Sequence, residues 1–205
     1  MTNTIFNESR GSNNTILNKD DTVNYYGKIL SSKEADQYFD SLMRNIQWEK
    51  DELIIFGKHV TTKRKVAWYG DSEYLYTYSS TTKRALDWTR ELFELKQIVE
   101  KYAETKFNSC LLNLYHDGSE GMGWHSDDEK PLGKNNTIAS LSFGAERKFS
   151  FKNKQTKQTV SIVLEHGSLL IMKGATQSNW LHSLPKSKNI TQSRINLTFR
   201  TIHLK

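Results

Sequence analysis

Residues 194–200 read Arg-Ile-Asn-Leu-Thr-Phe-Arg, an unbroken alternation of polar and apolar side chains. On an extended chain Ile195, Leu197 and Phe199 share one face, and Arg194, Asn196, Thr198 and Arg200 share the other. The first face is ordinary core. The second puts two guanidinium groups in a row, which suits either an exposed edge strand or an interior where anions meet them, because a buried charge needs a paired, hydrogen-bonded partner.

Working outward from this strand, β patterning recurs over residues 109–115, about 123–127, 137–143, 147–152, 159–164, 168–172 and about 180–183. Two helical patterns precede it. Ser32 is placed to cap a helix that aligns Ala35, Tyr38, Phe39, Leu42, Met43 and Ile46. Leu86 to Lys106 gives a second helix with Trp88, Leu92, Leu95, Val99 and Tyr102 on one side. Between them, Trp48 to Tyr78 reads as strands and loops broken by Gly57, Gly70 and basic residues. Two helices followed by about eight β segments predict an α+β fold, a double-stranded β-helix (jelly roll) with both helices on one outer face.

The 205-residue length suits one domain, and the Asn-, Thr- and Ser-rich residues 1–22 read as a flexible arm before a single domain over 23–205. No apolar run approaches the roughly 18 residues of a membrane span and no signal-peptide pattern opens the chain, so an intracellular protein without a membrane partner is expected. Cys110 is the sole cysteine, which excludes an internal disulfide, and it reads as a buried structural thiol. A net charge of +6 modestly favours a polyanionic partner.

Chemistry concentrates near Gly123-Trp124-His125-Ser126-Asp127. If this segment is extended, His125 and Asp127 point the same way and can bind one metal. A second histidine would complete a 2-His-1-carboxylate face that leaves coordination positions open, as in Fe(II) oxygenases. His182 is the best candidate among His59, His116, His166, His182 and His203, because the arginine strand follows it. A zinc hydrolase could use the same donors, but the Arg-x-Asn-x-Thr-x-Arg face argues for a dicarboxylate cosubstrate. Arg194 is the choice for one end of 2-oxoglutarate, since a guanidinium fork binds carboxylates bidentately. Asn113 and Tyr115 alternate on the strand before the His-x-Asp segment and could hydrogen-bond the same ligand.

Asn113-Leu114-Tyr115, His125-Ser126-Asp127-Asp128-Glu129, Ser140-Leu141-Ser142-Phe143-Gly144, His166-Gly167-Ser168-Leu169-Leu170, His182-Ser183-Leu184-Pro185 and the strand 194–200 resemble, in order, the motifs of the AlkB family. The resemblance implies iron ligands His125, Asp127 and His182, and 2-oxoglutarate contacts at Asn113, Tyr115, Arg194, Asn196 and Arg200. It implies a jelly-roll core over about 107–203 and a nucleotide-recognition lid over about 50–80. The lid, with Ile55-Phe56-Gly57-Lys58 and Tyr74-Leu75-Tyr76-Thr77-Tyr78, is most similar to that of the DNA-repair members typified by the second and third vertebrate homologues. That likeness implies an intercalating wedge at Phe56. Tyr76 or Tyr78, preferably Tyr78, would stack the target base. Asp128 and Glu129 would face the positive charge of N1-methyladenine or N3-methylcytosine, and Lys58, Lys63, Arg64 and Lys65, read as a loop, would meet phosphates.

The implied activity is oxidative demethylation of methylated DNA, with RNA as a further substrate, using Fe(II), 2-oxoglutarate and O2. The protein is expected to be a monomer, cytoplasmic in a bacterium or nuclear in a eukaryote. The rival readings are the same chemistry on RNA, protein or a small molecule, and a non-catalytic nucleic-acid-binding module.

Overall fold

The strand that carries Arg194 lies in the middle of a sheet, not at an edge. The computed structural model describes residues 3–4, 14–17, 21–55, 58–72, 74–78 and 81–203. Strands β1 (Asn3–Thr4), β2 (Asn14–Leu17) and β3 (Asp21–Lys28) lead to helix α1 (Ser32–Asn45). Strands β4 (Glu49–Ile55), β5 (Lys58–Gly70), β6 (Leu75–Tyr78), β7 (Thr81–Arg84) and β8 (Leu86–Asp87) separate it from α2 (Arg90–Ala103). Then come β9 (Ser109–Tyr115), β10 (Met122–His125), β11 (Ile138–Gly144), β12 (Arg147–Asn153), β13 (Thr159–Leu164), β14 (Ser168–Gly174), the short α3 (Thr176–Asn179), β15 (Trp180–Leu184) and β16 (Arg194–Arg200).

The last eight strands divide equally between two sheets. The larger contains the order β14-β11-β16-β9, continued by β5 and β4 on one side and by β3 and β2 on the other; the smaller runs β1-β13-β12-β15-β10. This is the expected jelly roll. Every pairing among β9 to β16 is antiparallel, and β16 is held by β11 on one side and β9 on the other, with Arg194 opposite Tyr115 and Asn196 opposite Asn113.

The alternation of residues 194–200 now acquires its two surroundings. Ile195, Leu197 and Phe199 join Leu112, Leu141, Phe143 and Leu169 beneath Ala35, Leu42, Leu92, Leu95 and Val99, so both long helices cover the outer face of the larger sheet. The opposite face looks toward the smaller sheet. There Ile138, Leu170 and Met172 meet Phe151, Ile162, Leu164 and Trp180 in a second apolar cluster, and Val23 and Tyr25 close it. Arg194, Asn196, Thr198 and Arg200 share this inner space.

Several local expectations change. The cap of α1 is Ser31, not Ser32: its hydroxyl accepts from the Glu34 amide while the Glu34 carboxylate accepts from the Ser31 amide, a reciprocal capping box. Helix α2 starts at Arg90 behind Thr89, whose hydroxyl accepts from the Leu92 amide, so Leu86 and Trp88 precede it. Asn14–Leu17 is not a loose arm but an edge strand on β3, with Leu17 buried in the inter-sheet cluster. The run Lys63-Arg64-Lys65 is strand, not loop, because β5 pairs with β9 from Lys65 opposite Leu114 to Gly70 opposite Ser109. Ala67 and Tyr69 face the helices while Arg64, Val66 and Trp68 face inward.

Gly144 ends β11 at φ +80°, and a Cβ there would lie 2.3 Å from the Ser193 carbonyl oxygen and 2.7 Å from the Phe39 ring. Gly144→Ala is therefore expected to destabilise the protein by about 1–3 kcal/mol, read as a lower urea midpoint at unchanged m-value; an unchanged midpoint would contradict the packing of α1 on β11.

Candidate active site

Antiparallel pairing of β10 and β15 sets His125 directly opposite His182, with ring centroids 4.2 Å apart. Phe149 stacks on His182 at 5.5 Å and fixes its plane. Asp127 is reached differently from the sequence expectation. β10 ends at His125, so the two residues are not alternate positions of one strand. The chain turns inward after the strand, and the Asp127 amide donates to Gln177 Oε1 at 2.9 Å. Lys154 braces the turn, its ammonium donating to Ser126 Oγ at 3.1 Å and to the Gln177 carbonyl at 2.9 Å.

The resulting cluster holds His125 Nε2 at 3.6 Å and His182 Nε2 at 3.7 Å from Asp127 Oδ1. One donor atom from each of the three lies within 4.8 Å of the others. His125 Nδ1 is 2.9 Å from the Gly123 carbonyl. A carbonyl only accepts, so this contact places the proton on Nδ1 and leaves the Nε2 lone pair for the cluster. Burial, reinforced by the neighbouring imidazole of His182, shifts His125 toward its neutral form. Burial alone would raise the Asp127 carboxyl, but Arg200, His182 and His125 outweigh it and hold Asp127 well below the usual carboxylate range. Arg200 Nη2 donates directly to Asp127 Oδ2. Two imidazoles and an ionised carboxylate form a donor set suited to a divalent metal.

Next to the cluster lies the polar face of β16. Arg194, 2% exposed, donates from Nη2 to Ser142 Oγ at 2.9 Å and to Asn196 Oδ1 at 2.7 Å. Asn196 Oδ1 also accepts from Ser140 Oγ, and its amide donates to Thr198 Oγ1, both at 2.9 Å. No carboxylate among the described residues forms an ion pair with Arg194, and its Nε has no hydrogen-bond partner. Burial, with the like charge of Arg147, pulls its pKa down to about 10. The enclosed guanidinium lies 5.6 Å from the Tyr115 ring centroid.

One cavity of about 560 Å³ joins these groups: His125, Asp127, His182, Asn113, Tyr115, Arg194, Asn196 and Arg200 all line it, with Arg64, Asp128 and Glu129. Lys65 is not brought there; it sits opposite Leu114 on the strand position after Arg64. Lys63 is exposed. Phe56 and Gly57 lie outside the described residues, as do the side chains of Lys58, Tyr76 and Tyr78. His116 pairs with Glu120, and His166 accepts the Gly144 amide and contacts Asp36, so neither joins the cluster.

Three residues with structural duties at the site were missed in the sequence. Gln177 and Lys154 orient the Asp127 turn from distant segments, and no local pattern announces them. Arg147 did leave a signal: it is in phase with Phe149 and Phe151 on a strand whose inward side is apolar. It is 1% exposed and donates to the carbonyls of Glu120 and Pro185, each at 2.8 Å, tying together the loops that flank β10 and β15.

Comparison with known proteins bears on this geometry. A family model described as "2OG-Fe(II) oxygenase superfamily" matches residues 22–200. Alpha-ketoglutarate-dependent dioxygenase alkB homolog 3 of Bos taurus is 42% identical over 85% of this chain and 64% of its own length. DNA oxidative demethylase ALKBH2 of Homo sapiens is 37% identical over 87% of this chain and 73% of its own. The chain belongs to the AlkB family of 2OG-Fe(II) oxygenases. The solved structure of OsALKBH1 superposes with a TM-score of 0.64 at 16% identity, covering 90% of this chain and 98% of that one, a likeness of fold. This AlkB-family chain spans 63–65% of the length of the alkB homolog 3 relatives from cattle, mouse, rat and human.

Family membership implies Fe(II) and 2-oxoglutarate, with O2 as the second cosubstrate. The residues present fit both: the His125, Asp127 and His182 donors suit a divalent iron, and Arg194 is a buried cation with no carboxylate partner among the described residues. The Asp127–Arg200 pair gives a test on the metal-free protein. Arg200→Ala leaves a buried carboxylate without its main counter-charge and is expected to lower folding stability by about 3–5 kcal/mol, measured by urea denaturation. Asp127 titrates lower in the fold than in the unfolded chain, so the stabilisation is complete above about pH 4. It is lost only as the pH falls through the folded value, and the gap between wild type and variant should close there.

Proposed function

We propose that this protein is an oxidative demethylase of N-alkylated nucleic-acid bases such as N1-methyladenine and N3-methylcytosine in DNA. The observation that carries the reading is the cavity whose lining includes the two-histidine carboxylate cluster, the buried Arg194, which has no carboxylate partner among the described residues, and the Glu129 carboxylate. The relatives named DNA oxidative demethylase ALKBH2 support DNA as the substrate class.

In this reading His125, Asp127 and His182 hold the iron. Arg194 takes one carboxylate of 2-oxoglutarate as a bidentate fork. Asn113, Tyr115, Asn196 and Arg200 complete the cosubstrate's hydrogen bonds. When bound, Fe(II) and 2-oxoglutarate supply with O2 the hydroxylation of an N-methyl group, with release of formaldehyde, succinate and CO2. The protein's own work is positional. The stacked strands exclude water, Arg200 keeps Asp127 ionised, and Asp128 and Glu129 offer negative charge to a cationic methylated base. Phe56 acts as the wedge that fills the gap left by a flipped base, Tyr78 or Tyr76 stacks the base, and Lys58 and Arg64 serve the nucleotide, with Lys65 further along the same strand. The reading takes residues 23–205 as one dioxygenase domain acting as an intracellular monomer.

The test is direct. Incubated with Fe(II), ascorbate, 2-oxoglutarate and methylated single- or double-stranded DNA, with methylated RNA in parallel, the protein should form succinate and restore the unmodified base mass. Succinate without base repair would move the substrate elsewhere, and absence of iron-dependent turnover would reject the enzyme. His182→Ala is expected to abolish repair. Phe56→Ala is expected to impair duplex substrates more than single strands, because only a duplex leaves a stack to fill; equal losses would refute the wedge.

A further inference from the structure

Phe93 and Trp124 are the large apolar side chains exposed among the described residues, and Trp124 is 43% exposed one position before His125. A lone exposed aromatic is unremarkable. This one has a cation over its ring: Lys152 Nζ lies 5.4 Å from the ring centroid. Lys152 pairs with Leu181 and Thr159, whereas its neighbour Phe151 pairs with His182 and Val160 and belongs to the inter-sheet core. Lys152 therefore stands on the outer side of the smaller sheet, over Trp124 at the β10 edge, where the indole also lines the cavity. The β12 positions in phase with Lys152 are Ser150 and Lys148; with their cross-strand partners Ser161, Val163, Thr159, Ser183 and Leu181 they include no carboxylate. β10 ends the strand order of this sheet, so only one strand separates the cavity from this cationic face.

We propose that Trp124 and Lys152 form a stacking platform for a nucleotide of single-stranded DNA flanking the target base. The strand leaves the cavity across the β10 edge, lays a base on the Trp124 indole and passes its phosphates to Lys152 and Lys148. An aromatic flanked by lysines, with no acid among the outward positions, matches the stacking-plus-cation pattern of single-strand binding. The proposal rests on the nucleic-acid reading above and adds to it a platform at the β10 rim, where Trp124 lines the cavity while Lys152 and Lys148 extend beyond it.

The experiment measures binding of the full chain to a labelled, unmethylated single-stranded oligodeoxynucleotide by fluorescence anisotropy across a salt series. Trp124→Ala should weaken binding by about tenfold with an unchanged slope of log Kd against log salt, and Trp124→Phe should recover part of the loss. Lys152→Gln should reduce that slope by about 0.7. On an abasic oligonucleotide, Trp124→Ala should cost nothing, since there is no base to stack. Phe93→Ala, on helix α2, should bind as wild type. Failure of the intact protein to bind would reject the nucleic-acid reading. Wild-type binding with an unaffected Trp124→Ala, or an equal loss on the abasic strand, would overturn the platform alone. A dimer in sedimentation that Trp124→Ala dissociates would assign the surface to a second copy of the chain and likewise overturn it.

Discussion

Between the two sheets the Asp127 carboxylate meets the Arg200 guanidinium, and the polar interior depends on that contact. A carboxylate enclosed by protein would ordinarily take up a proton. Here Arg200, entering from the larger sheet, keeps it ionised, while His125 and His182 arrive from adjacent strands of the smaller sheet. Remove the guanidinium, and the carboxylate would either neutralise or demand water, and the donor set would lose the charge that suits a divalent metal.

The fold makes room for this by dividing its apolar burial. The outer face of the larger sheet is roofed by α1 and α2, and one end of the space between the sheets is filled by Val23, Ile138, Phe151, Ile162 and Leu170. Those clusters supply the hydrophobic driving force, so the other end of the interior can remain polar and open. Its loops are then held by charged groups that reach backbone carbonyl oxygens: Arg147 those of Glu120 and Pro185, Lys154 that of Gln177. Arg194 likewise bonds only neutral oxygens, the Ser142 hydroxyl and the Asn196 amide, but unlike Arg147 it lines the cavity beside the His125, Asp127 and His182 cluster.

What could be read in the chain follows from the range of each interaction. The alternation at 194–200 located both the helix-facing core and the cavity, because a strand's period of two is local and survives any tertiary context. The 3.6-residue period located α2, although Thr89 and Ser31 shifted both helix starts, since capping depends on which hydroxyl meets the first free amides. The basic run 63–65 misled for the opposite reason: Arg64 sits at an inward position with Met122 Sδ 3.3 Å from its guanidinium, a setting created by β9 and β10 and invisible locally. Gln177 and Lys154 belong to the same class. They meet Asp127 and Ser126 across gaps of 50 and 28 residues, and no single-sequence pattern encodes such a meeting.

The first two of the three consecutive carboxylates after Ser126 show how sharply a fold can separate like residues. The Asp127 side chain is 5% exposed and locked against Arg200, whereas that of Asp128 is 61% exposed, accepts from Ser126 Oγ at 3.0 Å and has Lys154 at 3.7 Å. Solvent screens the second pair, so Lys154 holds Asp128 only loosely. The first carboxylate is committed to the interior and the second remains available at the cavity rim. Because Lys154 also braces the Asp127 turn through Ser126 and Gln177, a cationic ligand drawn to Asp128 would press on the brace that orients Asp127. One ammonium group thus touches both the rim carboxylate and the turn that carries Asp127.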